Sequence, residues 1–164
     1  MAEIISVAQP SVLARKAESR PANASIDIIV PVFNEESAIH PFFVRMDEVT
    51  AAIPDTEFRY LVINDGSNDS TMDVLSELCQ SRHNLCILNL SRNFGKEAAL
   101  TAGLDQAKGD AIIIMDADLQ DPPECIPAML KEWQQGADVV CMKRRSRHGE
   151  SIAKRLSAHV FYRL

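Results

Sequence analysis

Asp116 and Asp118 stand on either side of one alanine, directly after the apolar run Ile112-Ile113-Ile114-Met115. Two carboxylates one residue apart on a turn can both reach one hard cation. Mg²⁺ or Mn²⁺ takes one or two such carboxylates and completes its shell with waters and phosphate oxygens. Gln120 adds a neutral oxygen, Asp121 extends the acidic cluster, and Pro122-Pro123 stiffen the exit and suit the first turn of a helix. An Asp-x-Asp alone is a common acidic surface turn. Its place behind an apolar strand, with Gln-Asp-Pro-Pro-Glu following, selects a metal–diphosphate role over that plainer reading. Other chemistry-bearing sets also follow apolar runs: Phe33-Asn34-Glu35-Glu36, Asp65-Gly66-Ser67, Ser91-Arg92-Asn93 and Lys143-Arg144-Arg145.

Those runs are the strands that must position the sets. Residues 26–32, 58–63, 85–90, 111–115 and 138–142 read as strands, short and rich in β-branched residues. Between them the pattern predicts helices over 38–52, from a cap at Asp69 or Ser70 to 81, over 96–107 and over 123–135, with a last one from about 150 onward. Gly109 and Gly136 stop two of them. Strict alternation implies an α/β fold, a mostly parallel sheet with helices on both faces. The uniformly apolar 111–115 is placed at its centre. Ligands of such sheets bind beyond the carboxyl ends of the strands, so the five sets should converge on one rim.

Composition narrows the classes. A chain of 164 residues, 46% hydrophobic and 24% charged, is long enough for one domain with a real core. Its four cysteines and four histidines are scattered, without zinc-ligand spacing, and read as reduced thiols in a cytosolic setting. There is no Gly-x-x-x-x-Gly-Lys-Ser/Thr, and no Gly-x-Gly-x-x-Gly follows the first strand. Taking Asp65 as a phospho-acceptor leaves the Asp116 cluster and the basic tail without a task. No window approaches the ~18 apolar residues of a membrane span, and residues 1–25 lack the features of a signal peptide. Charge is uneven: residues 143–164 hold seven Lys and Arg against Glu150 alone, in a chain with 17 basic and 23 acidic residues and a net charge of -6. That end suits phosphate or an anionic membrane. Nucleic acid is not expected as a partner.

Three segments match a known family in order and spacing: Ile28-Ile29-Val30-Pro31-Val32-Phe33-Asn34-Glu35-Glu36, Val62-Ile63-Asn64-Asp65-Gly66-Ser67, and Asp116 through Glu124. They resemble the family-2 glycosyltransferases of GT-A (Rossmann-like) fold. Within these the chain is similar to the polyprenyl-phosphate type, the group of dolichol-phosphate mannose synthase and the bacterial bactoprenol glucosyltransferases. Arg92-Asn93-Phe94-Gly95-Lys96-Glu97, Ala102-Gly103-Leu104-Asp105 and Trp133 through Asp138 strengthen the match to the bactoprenol enzymes.

The resemblance implies specific roles. Pro31, Phe33, Asn34 and Glu35 would hold the nucleoside, Glu35 accepting from ribose hydroxyls. Asp65 would read the base. Asp116 and Ala117 would lie near the ribose, while Asp116, Asp118 and Gln120 would hold Mg²⁺ or Mn²⁺ on the diphosphate. Asn64 departs from the Asp-Asp pair of many relatives, although the bactoprenol subgroup shares it. Arg92 and Lys96 stay open between a phosphate contact and a loop or helix-capping role. Arg144 and, less securely matched, Arg155 would face the acceptor phosphate or the donor diphosphate, and Asp118 would count with them as catalytic.

These readings divide the chain into a flexible lead-in (1–25), a nucleotide-sugar-binding GT-A domain (26–148) and a basic amphipathic helix (149–164). Ile152, Leu156, Val160 and Leu164 line one side of that helix, which either rests on an anionic bilayer or packs on its own domain. Family members continue well past residue 164, so the fold is expected to be incomplete at the C-terminus. The leading reading is metal-dependent, inverting transfer of a hexose, with glucose preferred, to a polyprenyl phosphate at the cytoplasmic membrane face. UDP-glucose is the preferred donor and GDP-mannose the alternative, and a homo-oligomer is allowed for. The competing readings are a soluble-acceptor family-2 enzyme of polysaccharide or glycolipid synthesis, and a non-catalytic nucleotide-binding fragment.

Overall fold

The structure is a computed structural model that describes residues 2–6, 20, 21 and 23–144. In chain order the elements are β1 (Ala2–Ser6), β2 (Ala24–Val32), α1 (Ile39–Thr50), β3 (Thr56–Asn64), α2 (Thr71–Ser81), β4 (Leu85–Asn89), α3 (Lys96–Gln106) and β5 (Ala111–Ile114). A 3₁₀ turn (Pro123–Cys125), α4 (Ile126–Gln134) and β6 (Val140–Arg144) follow. Two compact units emerge, one of residues 18–127 and one that includes β1 and β6.

The larger unit is built on a four-stranded sheet in the order β4-β3-β2-β5. All three pairings are parallel, with Ile28 opposite Tyr60 and Ile113, and Val62 opposite Ile87. β2 is buried on both faces over most of its length, as its run of β-branched residues requires. On one face Ile29, Leu61 and Ile63 pack under Ala99 of α3. Gly103 lets this helix close on the sheet, because a Cβ there would meet Ile29 Cγ2 at 2.6 Å. On the other face Phe43 of α1 meets the Tyr60 ring edge-on at 5.2 Å, and Arg82 at the end of α2 lies over Phe43. Alternation along a strand puts Tyr60 opposite Leu61, so α1 and α2 cover the face that α3 does not.

Four expectations change. β5 is an edge strand of this sheet, not its centre; Ile112 and Ile114 are 42% and 49% exposed. Apolar composition reports which side chains favour burial, and strand order is decided by pairing, which gives β2 and β3 the inner positions. The strand read over 138–142 as a fifth member of the same sheet is observed as Val140–Arg144 and pairs antiparallel with β1, Ile4 opposite Met142. β1 itself lies within the stretch read as a lead-in; its short Ala-Glu-Ile-Ile-Ser segment is ordered by a partner strand that satisfies its backbone. The helix read over 123–135 opens as a 3₁₀ turn, Pro123–Cys125, and becomes α-helical only from Ile126. Residues 145–164, with the basic amphipathic helix, lie outside the described residues. Among the described residues no helix is long and apolar enough to cross a membrane.

Candidate functional site

The ends of β2, β3 and β5 and the start of α3 enclose a pocket of about 280 Å³ in the larger unit. β2 delivers Pro31, Phe33 and Glu35, and β3 delivers Asp65. The parallel register carries past the last paired residues: the Asp65 N–H donates to the Val32 carbonyl, and the Met115 N–H to the Ile29 carbonyl. That continuation is what brings Asp116, Ala117 and Asp118 into the same pocket. Buried Ala117 and Ala99 keep it open, since larger side chains would fill it.

The loops after β2 and β3 are laced together. The Asn34 N–H donates to Ser67 Oγ at 2.9 Å, and Asn34 Oδ1 accepts from the Asn68 N–H at 2.8 Å. The Glu35 N–H donates to Thr71 Oγ1, and the Ser70 N–H to Glu36 Oε2. Asn34 takes a left-handed backbone (φ 56°), a conformation asparagine tolerates well. Ser70 is the N-cap of α2 and makes no side-chain cap bond, while Asp69 Oδ1 accepts from the Thr71 N–H just ahead of the helix.

Asp65 is 3% exposed, and its two oxygens accept from the Phe94 and Gly95 N–H groups, each at 2.8 Å. It therefore fixes the loop that launches α3. A carboxylate has further lone pairs, so Asp65 keeps capacity to accept from a ligand. Gly66 (φ 66°) lets the β3 loop touch that same loop, for a Cβ would lie 2.3 Å from the Arg92 carbonyl carbon. Asn64 uses both halves of its amide, donating to Asn89 Oδ1 and accepting from the Ser67 N–H and hydroxyl. An aspartate there has no hydrogen to give Asn89. Arg92 stacks over the Phe94 ring, 4.7 Å from its centroid.

Besides Asp65, three carboxylates share the pocket: Glu35, Asp116 and Asp118. Burial, then the charges of Asp118, Asp116 and Asp69, push the Glu35 carboxyl above its ordinary range. Lys96 answers part of that charge: its Nζ contacts both Asp116 oxygens, at 2.6 and 2.7 Å. Asp118 is exposed and accepts from the Gln120 N–H at 3.0 Å across Leu119. Leu119 is left-handed (φ 57°), a strained backbone for a branched side chain that this turn enforces. Arg45, bonded to Glu124 and Glu48, ties the segment after the turn to α1.

Of the residues singled out from the sequence, Pro31, Phe33, Glu35, Asp65, Asp116, Ala117 and Asp118 come together. Asn34 and Gln120 do not line the pocket; they shape its loops. The Arg144 side chain and all of Arg155 lie outside the described residues. Asn93, Gly95 and Lys96 line the pocket as well. Sequence reading had marked their loop, but nothing in it revealed that Lys96 reaches Asp116. Among the described residues no three His, Cys, Asp or Glu side chains form a ready-made metal cage. The hard-oxygen pair Asp116 and Asp118, crowded by Glu35, nonetheless fits a Mg²⁺ or Mn²⁺ ion, which needs few protein ligands beside substrate phosphates.

A parallel α/β sheet whose carboxyl rim carries a pocket is the ligand-binding arrangement of open α/β domains. The sequence matches Glycosyl transferase family 2 over residues 27–163, and the chain belongs to that family. It is 45% identical over 139 residues to an uncharacterised glycosyltransferase of Synechocystis, covering 85% of this chain and 43% of that protein. It is 47% identical over 139 residues to the bactoprenol glucosyl transferase of Shigella phage SfV, covering 85% of this chain and 45% of that protein. This chain thus spans less than half the length of these relatives. The fold is shared with a mannosyltransferase from Pyrobaculum calidifontis solved with GDP-Man and Mn²⁺, at a TM-score of 0.58 and 23% identity. That match covers 68% of this chain and 32% of the mannosyltransferase.

Proposed function

We propose that this chain forms the donor-binding part of a metal-dependent, inverting glycosyltransferase that moves a hexose from a nucleoside diphosphate to a polyprenyl phosphate. The convergence of Glu35, Asp65, Asp116 and Asp118 on one pocket at the strand ends carries the reading. Likeness to bactoprenol glucosyl transferases supports the lipid phosphate as acceptor and glucose as the sugar. UDP-glucose is then the donor, with GDP-mannose as the alternative.

Phe33 offers an exposed apolar face to the nucleoside, and Glu35 accepts from the ribose hydroxyls. Asp65 holds the Phe94–Gly95 loop and presents its remaining lone pairs to the base. Asp116 and Asp118 would hold Mg²⁺ or Mn²⁺, with Gln120 as a further oxygen. When bound, that ion supplies Lewis-acid stabilisation of the departing diphosphate. The acceptor phosphate is already largely ionised near neutral pH, since its second pKa is about 6. It needs orientation more than a general base, and Arg144 and Arg155 suit that task because guanidinium pairs with two oxygens at once. Positioning and charge complementarity then supply most of the catalysis. A single displacement on an α-linked donor leaves a β-linked product. The work would take place at the cytoplasmic membrane face, where such an acceptor presents its phosphate.

Calorimetry with UDP-glucose, GDP-mannose and UDP-N-acetylglucosamine, each with and without Mn²⁺, tests the donor site. Mn²⁺-dependent binding of UDP-glucose is expected. A folded sample that binds none of the three overturns the assignment.

A further inference from the structure

Lys96 is the first residue of α3, where the helix dipole disfavours a cation. Its position is nevertheless tightly set. Asp65 grips the two preceding amides, and Gly95 (φ 96°) turns the chain into the helix. From there the ammonium reaches across twenty residues of sequence to both oxygens of Asp116, with Asp118 and Glu35 lining the same pocket. The pair is half-exposed, at 55% and 40% for the two side chains, so it contributes little to folding. Its effect falls on the site. Four carboxylates (Glu35, Asp65, Asp116 and Asp118) against one ammonium leave the pocket with a net negative charge that invites a divalent cation, yet one of the two best cation ligands is already engaged.

We infer that Lys96 is the resident counter-ion of this site: it neutralises Asp116 while the donor is absent, leaves Asp116 when a divalent cation binds there, and turns to the donor diphosphate. The inference rests on the donor-site reading above. Lysine suits the exchange because its ammonium is a compact charge on a flexible stem, able to swing between two oxygen partners without moving the backbone. The consequence is linkage. A cation arriving alone must displace the ammonium and strand it among carboxylates and water. A cation arriving with a diphosphate gives the ammonium a new partner. Cation and nucleotide therefore strengthen each other's binding by the same factor. The site avoids filling with metal alone.

The test uses the whole chain as wild type, Lys96→Met and Lys96→Arg. Binding of Mn²⁺ is read from the loss of the free-ion electron paramagnetic resonance signal, alone and with UDP or GDP. Removing the ammonium should tighten Mn²⁺ binding in the absence of nucleotide by about three- to tenfold, from the lost competition and repulsion. The mutual strengthening of Mn²⁺ and nucleotide should shrink by a similar factor, and Lys96→Arg should restore it. A damaged fold would weaken Mn²⁺ binding, so the direction of the change separates the two causes. If Lys96→Met leaves Mn²⁺ affinity unchanged or lowers it while wild type binds Mn²⁺ with nucleotide, the counter-ion role is overturned and the donor site stands. If wild type binds neither Mn²⁺ nor nucleotide, the donor site itself is overturned, and Lys96 loses its role with it.

Discussion

Two carboxylates on the path of β2 live in opposite environments. Asp27, in the amino half of the strand, is 2% exposed and takes four donors: Arg59 Nε and Nη2, and the Lys108 and Gly109 N–H groups. The Arg59 bond, opposed by burial and helped by the two amides, holds its pKa near about 2. Glu35, just past the other end, is pushed upward by burial and by Asp118, Asp116 and Asp69. Every donor around Asp27 comes from the protein. Around Glu35 the neighbours are mostly further acids, and Lys96 is the cation that lines the same pocket. A saturated carboxylate locks strands and loops together, whereas crowded ones are stable only if a cation joins them. The contrast separates architecture from chemistry within one strand.

Substitution at the rim should be the most drastic for function. Asp118→Asn should lower Mn²⁺-dependent UDP affinity by about 100-fold or more and abolish transfer, with the unfolding midpoint unchanged because the side chain is exposed. Near-normal rates with metal binding intact would remove Asp118 from the metal. At the other end the effects should invert. Asp27→Asn turns amide hydrogens toward backbone N–H donors and strips Arg59 of its partner, costing about 2–4 kcal/mol in urea unfolding. Nucleotide affinity of the folded variant should hold, and a collapse of affinity would mean the two ends are not separable.

Acid should dissect the same contrast. Because folding lowers the Asp27 pKa, its stabilisation is complete above the unfolded value near 4. It is lost as pH falls toward about 2, amounting to roughly 2 kcal/mol. Unfolding free energy followed from pH 5 to pH 2 should fall less steeply in Asp27→Asn than in wild type, the difference being the Asp27 contribution, while Asp69, Asp110 and Glu124 keep theirs. The smallest change is expected at Glu35→Gln. Its raised pKa means the charged form opposes folding at neutral pH, so the neutral isostere should stabilise by a few tenths of a kcal/mol after solvent screening. UDP binding should weaken at the same time. A destabilised Glu35→Gln would show that the rim carboxylates are not in conflict.

Much of this molecule was readable before any coordinates. The order of strands and helices, the placement of Asp65 and Asp116-Ala117-Asp118 at strand ends, and the family itself follow from local patterns: β-branched runs, turn residues and motif spacing. Boundaries moved by a residue or two, and the 3₁₀ opening at Pro123 was hidden in a helical pattern. Strand order was not readable, because Ile112-Ile113-Ile114 carries the same apolar signal at an edge as at a centre. Nor did Asp27 stand out; one acid inside an apolar strand gives no hint of Arg59, thirty-two residues away.

The sequence by itself determined which residue types sit at each strand end, because side-chain period and turn chemistry are local. Only the tertiary structure decided how their charges are shared. Asp65 faces two backbone amides, Asp116 faces Lys96, and Asp27 is saturated while Glu35 is crowded. Those outcomes depend on parallel register and on the approach of α3 to the sheet, which bring together groups from distant parts of the chain.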